Sequence, residues 1–214
     1  MKRIVVMAVS LLCLCGCLKK PVRVAVIDSG ISNVSAHILD GHNYIDNSDD
    51  TTDTQGHGSM LAEIIVSYAP DCYIIPLKVS YEDPAVSDFV IQAIQDCIDQ
   101  YEVDIICMAF SIMESEDLHK VIQKADEKGI LMVSAAGNTG NRKQILYPAG
   151  YEEVISVGAL DADGNPTSYS MVEGVDVFMD GTWNESHGTS VSCAKATGMF
   201  ASGKWNDRSD LQKE

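Results

Sequence analysis

Short apolar runs alternate along this chain with segments of helical periodicity, and this alternation constrains the fold more than any other feature. Apolar runs of the length typical of buried strands lie at 22–27, 72–79, 103–110, 130–135 and 154–157. Between them, apolar residues recur at helical spacing, and the helical segment at 118–125 is followed by Gly129, a residue typical of a helix end. Strands that alternate with helices favour an α/β fold, with a parallel β-sheet flanked by helices on both faces.

The acidic balance of the chain limits its partners. Lys and Arg together number 15 against 31 Asp and Glu, which gives a formal net charge of −16. Such a charge repels phosphate groups, so we expect no nucleic-acid partner and favour a neutral or basic one. The hydrophobic fraction of 46% is that of an ordinary globular domain and excludes a disordered or collagen-like chain.

The first residues have the pattern of an export signal. Two basic residues precede an apolar run at 4–14, which is too short to span a bilayer. The tetrapeptide Leu14-Cys15-Gly16-Cys17 resembles the bacterial lipobox, in which the last Cys is diacylated and becomes the new first residue. The resemblance implies a signal peptide at 1–16, a lipid on Cys17 with an anchor linker at 17–21, and an extracytoplasmic protein anchored to the membrane. The alternative is a buried N-terminal strand.

The remaining cysteines leave their pairing open. Outside the export segment the sequence contains Cys72, Cys97, Cys107 and Cys193. An exported location permits disulfides among these four. The sequence has no C-x-x-C and no His/Cys spacing typical of a metal site, so we predict no such site.

Polar residues with catalytic chemistry follow the apolar runs or begin helices. Asp28 ends the first run, and Asn138 follows the fourth. His57 lies between two glycines at the start of a helical segment, and Ser190 lies at the start of a helix rich in small residues. Chemistry in α/β proteins gathers where parallel strands end, so we expect these residues to converge. Each residue alone also has a simpler interpretation as a turn or capping residue.

Together, and in the chain order Asp28, His57, Asn138 and Ser190, the four residues match one chemistry. Nucleophilic acyl transfer needs an orienting carboxylate, a base, an oxyanion donor and a hydroxyl, and the order Asp, His, Ser is that of subtilisin. The chain resembles the subtilisin family of serine peptidases in the segments V-A-V-I-D-S-G, G-H-G-S-M-L-A, A-A-G-N and G-T-S-V-S-C-A. The resemblance extends from about residue 22 to residue 203.

This resemblance implies a subtilisin-like serine endopeptidase domain at 22–214 that hydrolyses peptide bonds through an acyl-enzyme. It implies that Ser190 is the nucleophile, His57 the general base and Asp28 the carboxylate that orients the base. The oxyanion would be bound by the side-chain amide of Asn138 and the backbone N–H of Ser190. No cofactor is required for this chemistry.

The resemblance also implies where a peptide or protein substrate binds. The substrate would lie extended along the chain that follows the strand at 103–110 and add itself by main-chain hydrogen bonds. Leu146 is a further candidate for a pocket wall. The implied substrate-binding residues are Ala109, Phe110, Ser111, Ala135, Ala136 and Gly137.

Several features depart from the family pattern. Ala194, followed by Lys195, occupies the place of a Pro, and the segment between Gly181 and Gly188 is short. We expect a C-terminally short domain and no propeptide. The usual tight calcium site is expected to be absent. The acidic stretch at 46–53 is a candidate calcium site, but we favour its interpretation as a solvated acidic loop, because it has no EF-hand-like spacing and no turn Gly.

Two other functions remain open. One is a catalytically weak binding or sensing lipoprotein that keeps the peptidase scaffold. The other is a doubly wound nucleotide-binding module. No G-x-G-x-x-G or G-x-x-x-x-G-K-[ST] loop follows the first strand, which argues against the nucleotide-binding module.

Overall fold

The computed structural model describes residues 20–80, 86–140 and 145–212. The signal peptide predicted at 1–16, and Cys17 with it, lie outside these residues. The helices are α1 His57–Tyr68, α2 Ser87–Asp99, α3 Glu116–Glu127 and α4 Thr189–Ala201. The strands are β1 Arg23–Asp28, β2 His37–Ile38, β3 His42–Asn43, β4 Tyr73–Lys78, β5 Ile105–Met108, β6 Leu131–Ala135, β7 Ile155–Leu160, β8 Val177–Asp180, β9 Thr182–Trp183 and β10 Ser186–His187.

A parallel sheet forms the centre of the domain. Its strand order is β2-β4-β1-β5-β6-β7-β8, with β3 also paired to β4, and its neighbouring strands run parallel. Strands β9 and β10 form a separate antiparallel hairpin. The predicted α/β fold is confirmed. Strand β8 was not predicted, because its apolar run is only three residues long, at 177–179 between Asp176 and Asp180. It lies at the sheet edge, where these residues are half-exposed.

Helices cover both faces of the sheet. Val24 and Val26 of β1 belong to the core cluster that includes the buried residues of α1 and α4. Ala25 and Ile27 belong to the cluster formed with α2 and α3 on the opposite face. Successive side chains of a strand point to opposite faces, so burial of both faces requires an unbroken apolar run. This is why the sequence of the first strand is an unbroken apolar run from Val24 to Ile27.

Helix α3 ends where its sequence predicts and begins two residues before the predicted helical segment. The Ser115 hydroxyl accepts a hydrogen bond from the Leu118 N–H at 3.1 Å and caps the first turn. Gly129 follows the helix with a φ of 77°, a conformation that costs glycine little. Among the described helices, none is both long and apolar enough to cross a membrane.

The four cysteines of the described domain are free and buried. The sulfur atoms of Cys107 and Cys193 are 3.9 Å apart, which is contact between two thiols and not a bond. Burial raises the pKa of the Cys72 thiol to about 11 and also raises the pKa values of Cys97 and Cys193. At neutral pH these thiols are protonated and poorly nucleophilic.

Candidate active site

A buried carboxylate, Asp28, and a partly exposed imidazole, His57, form a hydrogen-bonded pair at the carboxyl end of the central strand. Asp28 is the last residue of β1 and 6% exposed, and His57 is the first residue of α1. The Asp28 Oδ1 atom lies 2.8 Å from His57 Nδ1 and also accepts the Ser29 N–H at 2.8 Å. An ionised carboxylate only accepts, so Nδ1 carries the proton and Nε2 of the neutral ring is left as a base.

Asp53 holds the start of α1 against the end of β1. Its Oδ1 atom accepts the N–H groups of Gln55 and Gly56 and the Ser29 hydroxyl, at 2.8–2.9 Å. Its Oδ2 atom accepts the N–H and hydroxyl of Ser59 at 2.9 and 2.7 Å. Burial raises the pKa of Asp53, but these hydrogen bonds outweigh it and hold the pKa below its usual range. Asp53 therefore acts as the helix cap that Gly56 lacks a side chain to provide.

Gly58 lets the helix approach the strand closely. Its N–H donates to the Ser29 hydroxyl at 3.0 Å. A Cβ at this position would lie 2.2 Å from the Gly30 carbonyl oxygen and 3.2 Å from the Asp28 Cβ. Any larger residue would push His57 away from its carboxylate, which is the physical reason for the glycine that the sequence places there.

Asn138 is oriented by the start of α4. Its Oδ1 atom accepts both the N–H and the hydroxyl of Thr189, each at 2.9 Å. Because the Thr189 N–H can only donate, the oxygen of the amide faces Thr189 and the Nδ2 donors face away from it. Thr189 is fully buried and was missed by sequence reasoning. The Gly-Thr-Ser spacing marks Thr189 as a capping residue, but its partner lies 51 positions earlier in the chain.

Ser190 is the second residue of α4, where backbone N–H groups have no partner within the helix. Its hydroxyl donates to the Ala109 carbonyl oxygen at 3.1 Å. This contact joins the start of α4 to the chain that follows β5. The positive end of the helix dipole at this position favours negative charge that develops beside Ser190.

A single cleft of about 920 Å³ brings the predicted residues together. Asp28, His57, Asn138 and Ser190 all line it. Most of the predicted substrate-binding residues line it as well, namely Ala109, Phe110, Ser111, Ala135 and Gly137, together with Leu146. Ala136 does not line the cleft. Its side chain is fully buried, because alternate residues of an extended segment face opposite ways. Its N–H donates to the Val157 carbonyl at 2.9 Å.

Lys195 fixes α4 to the hairpin that precedes it. Its side chain is buried, and its Nζ atom lies 2.6 Å from Asp180 Oδ2 and 2.7 Å from the Thr182 carbonyl oxygen. Burial raises the pKa of Asp180, but the hydrogen bonds from Lys195 and Thr182 hold it below its usual range. The sequence identified Lys195 only as a departure from the family pattern, because its partners are distant from it in the chain.

The acidic stretch at 46–53 does not present a converging set of calcium ligands. Asp46 Oδ1 accepts the Ser48 hydroxyl at 2.7 Å, and Asp50 Oδ1 accepts the Thr52 N–H at 3.0 Å. Both oxygens of Asp53 are engaged by protein donors. Within the described ranges, no group of three or more His, Cys, Asp or Glu side chains is arranged to hold a metal ion. The residues therefore do not fit a calcium site, which needs six to eight oxygen ligands.

Asp53→Asn is expected to lower the free energy of unfolding by roughly 2–3 kcal/mol, because an amide removes the charge and turns an NH₂ group toward protein donors. That corresponds to a fall in Tm of about 5–10 °C. EDTA is expected to leave Tm and activity unchanged. The Asp53 contribution is present above the unfolded pKa of about 4 and is lost as pH falls through the lower folded value.

Asp46→Asn is the matched control, since Asp46 is exposed and accepts only a neighbouring hydroxyl. We expect this variant to melt within about 2 °C of the wild type. Thermal unfolding followed by circular dichroism, with and without calcium, measures all of these effects. A rise in Tm with calcium that Asp53→Asn removes would show instead that the stretch binds the ion.

One cleft at the end of a parallel sheet is lined by a carboxylate hydrogen-bonded to an imidazole, a serine at a helix start and an oriented amide. This arrangement is typical of serine hydrolases. The sequence model of the subtilase family matches residues 19–204. The chain therefore belongs to the subtilase family.

Curated relatives agree with this assignment. The chain is 33% identical over 172 residues to an intracellular serine protease of Paenibacillus polymyxa, covering 70% of this chain and 52% of that protein. It is 32% identical to the minor extracellular protease Epr of Bacillus subtilis (strain 168), covering 71% of this chain and 25% of that protein. It is 29% identical to subtilisin DY of Bacillus licheniformis, covering 80% and 72%. The chain thus spans about half the length of the first relative and a quarter of the second.

Solved structures share the fold. A cold-adapted subtilisin-like serine proteinase superimposes with a TM-score of 0.81 at 22% identity, covering 90% of this chain and 80% of that one. A lanthipeptide protease superimposes with a TM-score of 0.72 at 23% identity, covering 84% and 72%. Both similarities support the subtilisin-like fold.

Proposed function

We propose that this protein is a serine endopeptidase that hydrolyses peptide bonds through the triad Asp28, His57 and Ser190. The observation that carries the proposal is the shared cleft. It joins a base held in one tautomer by a buried carboxylate, a serine at a helix start and an oriented amide. Family membership supports the same chemistry.

The first half-reaction forms an acyl-enzyme. The Ser190 hydroxyl leaves the Ala109 carbonyl by rotation about its Cα–Cβ bond and turns toward His57 Nε2. As its oxygen bonds to the carbonyl carbon of the substrate, its proton passes to Nε2, and Asp28 stabilises the resulting imidazolium. The tetrahedral intermediate collapses, the C–N bond breaks, and the leaving amine takes the proton from His57.

The second half-reaction releases the acyl group. A water molecule gives its proton to His57 Nε2 and attacks the ester carbonyl, and the proton then returns to the Ser190 oxygen. In both halves the oxyanion accepts hydrogen bonds from Asn138 Nδ2 and the Ser190 N–H. The amide donates without reorganisation, since Thr189 already fixes its direction.

The substrate is a peptide or protein segment in extended conformation. The backbone beyond β5 at Ala109, Phe110 and Ser111 lines the cleft and is the segment along which the substrate would pair. Phe110 and Leu146 are half-buried and supply apolar surface for substrate side chains. Labelling with a fluorophosphonate tests the proposal directly, because only an activated Ser190 reacts. A chain that binds peptides but leaves the probe unreacted would be a binding protein on a peptidase scaffold.

Asn138→Ala is expected to lower kcat by roughly 10²–10³ and to leave KM nearly unchanged, because the amide acts on the oxyanion and not on the ground state. Steady-state hydrolysis of a fluorogenic peptide measures both constants. Thr189→Val is the matched control, since it removes only the hydroxyl contact to Oδ1 and keeps the N–H contact. We expect it to lose far less of kcat. A rise in KM alone in Asn138→Ala would assign Asn138 to substrate binding.

We further propose that the mature protein is attached to the outer face of a bacterial membrane by a lipid on Cys17. Two acyl chains at one residue provide stable attachment that a single chain does not. Cys17→Ala is therefore expected to move the protein from the membrane fraction to the soluble fraction, as measured by fractionation and immunoblotting. Cys15→Ala, two residues earlier, is the control and should remain in the membrane. Retention of Cys17→Ala in the membrane would contradict lipid attachment at this residue.

A further inference from the structure

The cleft carries one exposed carboxylate that the proposed chemistry does not use. Glu185 lines the cleft five positions before Ser190, and its side chain is exposed. Among the described residues, no hydrogen bond or ion pair engages its carboxylate. Asp28, the other acidic residue of the cleft wall, is buried and already bonded to His57 and Ser29.

The position of Glu185 is fixed by a tight hairpin. Asn184 and Glu185 form the two-residue turn between β9 and β10, and Asn184 has a φ of 51°, as such turns require. At its base, the Gly188 N–H donates to the Gly181 carbonyl at 2.9 Å. Ser190 lies two residues beyond Gly188, so the hairpin connects Glu185 directly to the start of the nucleophile helix.

Lys195 makes the hairpin and the nucleophile helix one unit. Its buried Nζ atom bonds the Asp180 carboxylate and the Thr182 carbonyl, at the end of β8 and the start of β9. The hairpin therefore cannot swing away from the cleft without breaking the hydrogen bond from the buried Lys195 to the Thr182 carbonyl. A charge at its tip is preorganised, which increases the selectivity that one charge can give.

Among its described residues, the cleft wall includes neither Lys nor Arg to offset this charge, and its two histidines are His57, which is hydrogen-bonded to Asp28, and His187. The chain as a whole carries −16. The negative charge of the cleft and the negative charge of the whole chain thus both attract a basic peptide and repel an acidic one.

From this geometry we infer that Glu185 is a specificity-determining residue that selects substrates with a Lys or Arg side chain within a few residues of the scissile bond. The inference rests on the proposed peptidase function and adds the charge class of the substrate. A basic side chain beside Glu185 gains an ion pair within a cleft that the peptide itself shields from water, whereas an acidic side chain is repelled.

A set of quenched fluorescent peptides tests the inference. The peptides share one sequence, and a single Lys, Gln or Glu is scanned across the positions on both sides of the cleaved bond. We expect kcat/KM for Lys over Glu to be about tenfold or more at one position, since attraction and repulsion each contribute a few-fold. Glu185→Gln should reduce this ratio to about twofold, and Glu185→Lys should invert it. Salt at 0.5 M should weaken the ratio in the wild type.

Glu127→Gln is the matched control. Glu127 is an exposed residue at the end of α3, on the face of the sheet opposite α4, so the variant changes net charge equally but leaves the cleft unchanged. It should keep the wild-type ratio. Binding of the same peptides to Ser190→Ala, measured by fluorescence anisotropy, gives a readout without turnover and should show the same order.

The possible failures are distinguishable. If the wild type cleaves none of the peptides, or Ser190→Ala cleaves them as fast as the wild type, the peptidase function itself is wrong. If the wild type cleaves them without charge preference, or keeps its preference in Glu185→Gln, the role of Glu185 is wrong and the peptidase function stands.

Discussion

Ser190→Ala is expected to abolish peptide hydrolysis, with kcat falling by roughly 10⁶, the size of the loss when the nucleophile of a serine triad is removed. The fold should remain. The substitution deletes one oxygen at a half-buried position and one hydrogen bond, to the Ala109 carbonyl. That loss is worth about 1 kcal/mol and lowers Tm by about 2–4 °C. Hydrolysis of a fluorogenic peptide and thermal unfolding measure the two effects separately.

Ser192→Ala is the control in the same helix. Ser192 is fully buried, and its hydroxyl donates to the Met179 carbonyl at 3.0 Å. This variant leaves a buried acceptor without its donor, so it should lower Tm more than Ser190→Ala while keeping kcat within a few-fold. A Ser190→Ala variant that retains wild-type turnover would exclude this serine as the nucleophile.

Asp28→Asn is expected to lower kcat by about 10⁴ at neutral pH with little change in KM. The Asn amide would turn a donor toward His57 Nδ1, which must then accept. The ring proton moves to Nε2, where it prevents His57 from taking the proton of Ser190. The effect is large because Oδ1 makes the 2.8 Å bond that selects the tautomer in the wild type.

Asp126→Asn, an exposed change on α3 opposite the cleft, is the matched control and should keep wild-type kcat. Circular dichroism and Tm report whether the β1 end stays folded in Asp28→Asn, since Asp28 also accepts the Ser29 N–H. If Asp28→Asn turns over peptide within tenfold of the wild type while folded, tautomer control by Asp28 is contradicted.

Much of the site could be predicted because its residues are marked locally. Asp28 ends an apolar strand, and His57 lies between glycines at a helix start. Ser190 lies two residues after a glycine at another helix start. Each of these signals depends on residues within a few positions. Once the segments are placed on one parallel sheet, strand polarity alone brings their ends to the same edge.

The supporting contacts could not be predicted, because they join residues that are distant in the chain. Asp53 was expected to lie in a solvated acidic loop, with a calcium site as the alternative, whereas its two oxygens join α1 to Ser29. Thr189 was not identified as a functional residue, because the amide that it orients lies 51 residues away. Ala136 was placed with its neighbours in the cleft, although strand alternation buries it.

The sequence by itself determined the α/β architecture and the order of the helices and main strands, because hydrophobic periodicity and local turn chemistry are properties of neighbouring residues. The four residues proposed for catalysis were identified through the resemblance of their segments to the subtilisin family. Only the tertiary structure decided which carboxylates are free to act on a ligand. Asp28 was singled out in the sequence, but nothing local distinguishes Asp53 and Glu185 from other surface carboxylates. Packing buries the first against His57, commits the second to backbone donors, and leaves the third exposed in the cleft on a rigid hairpin.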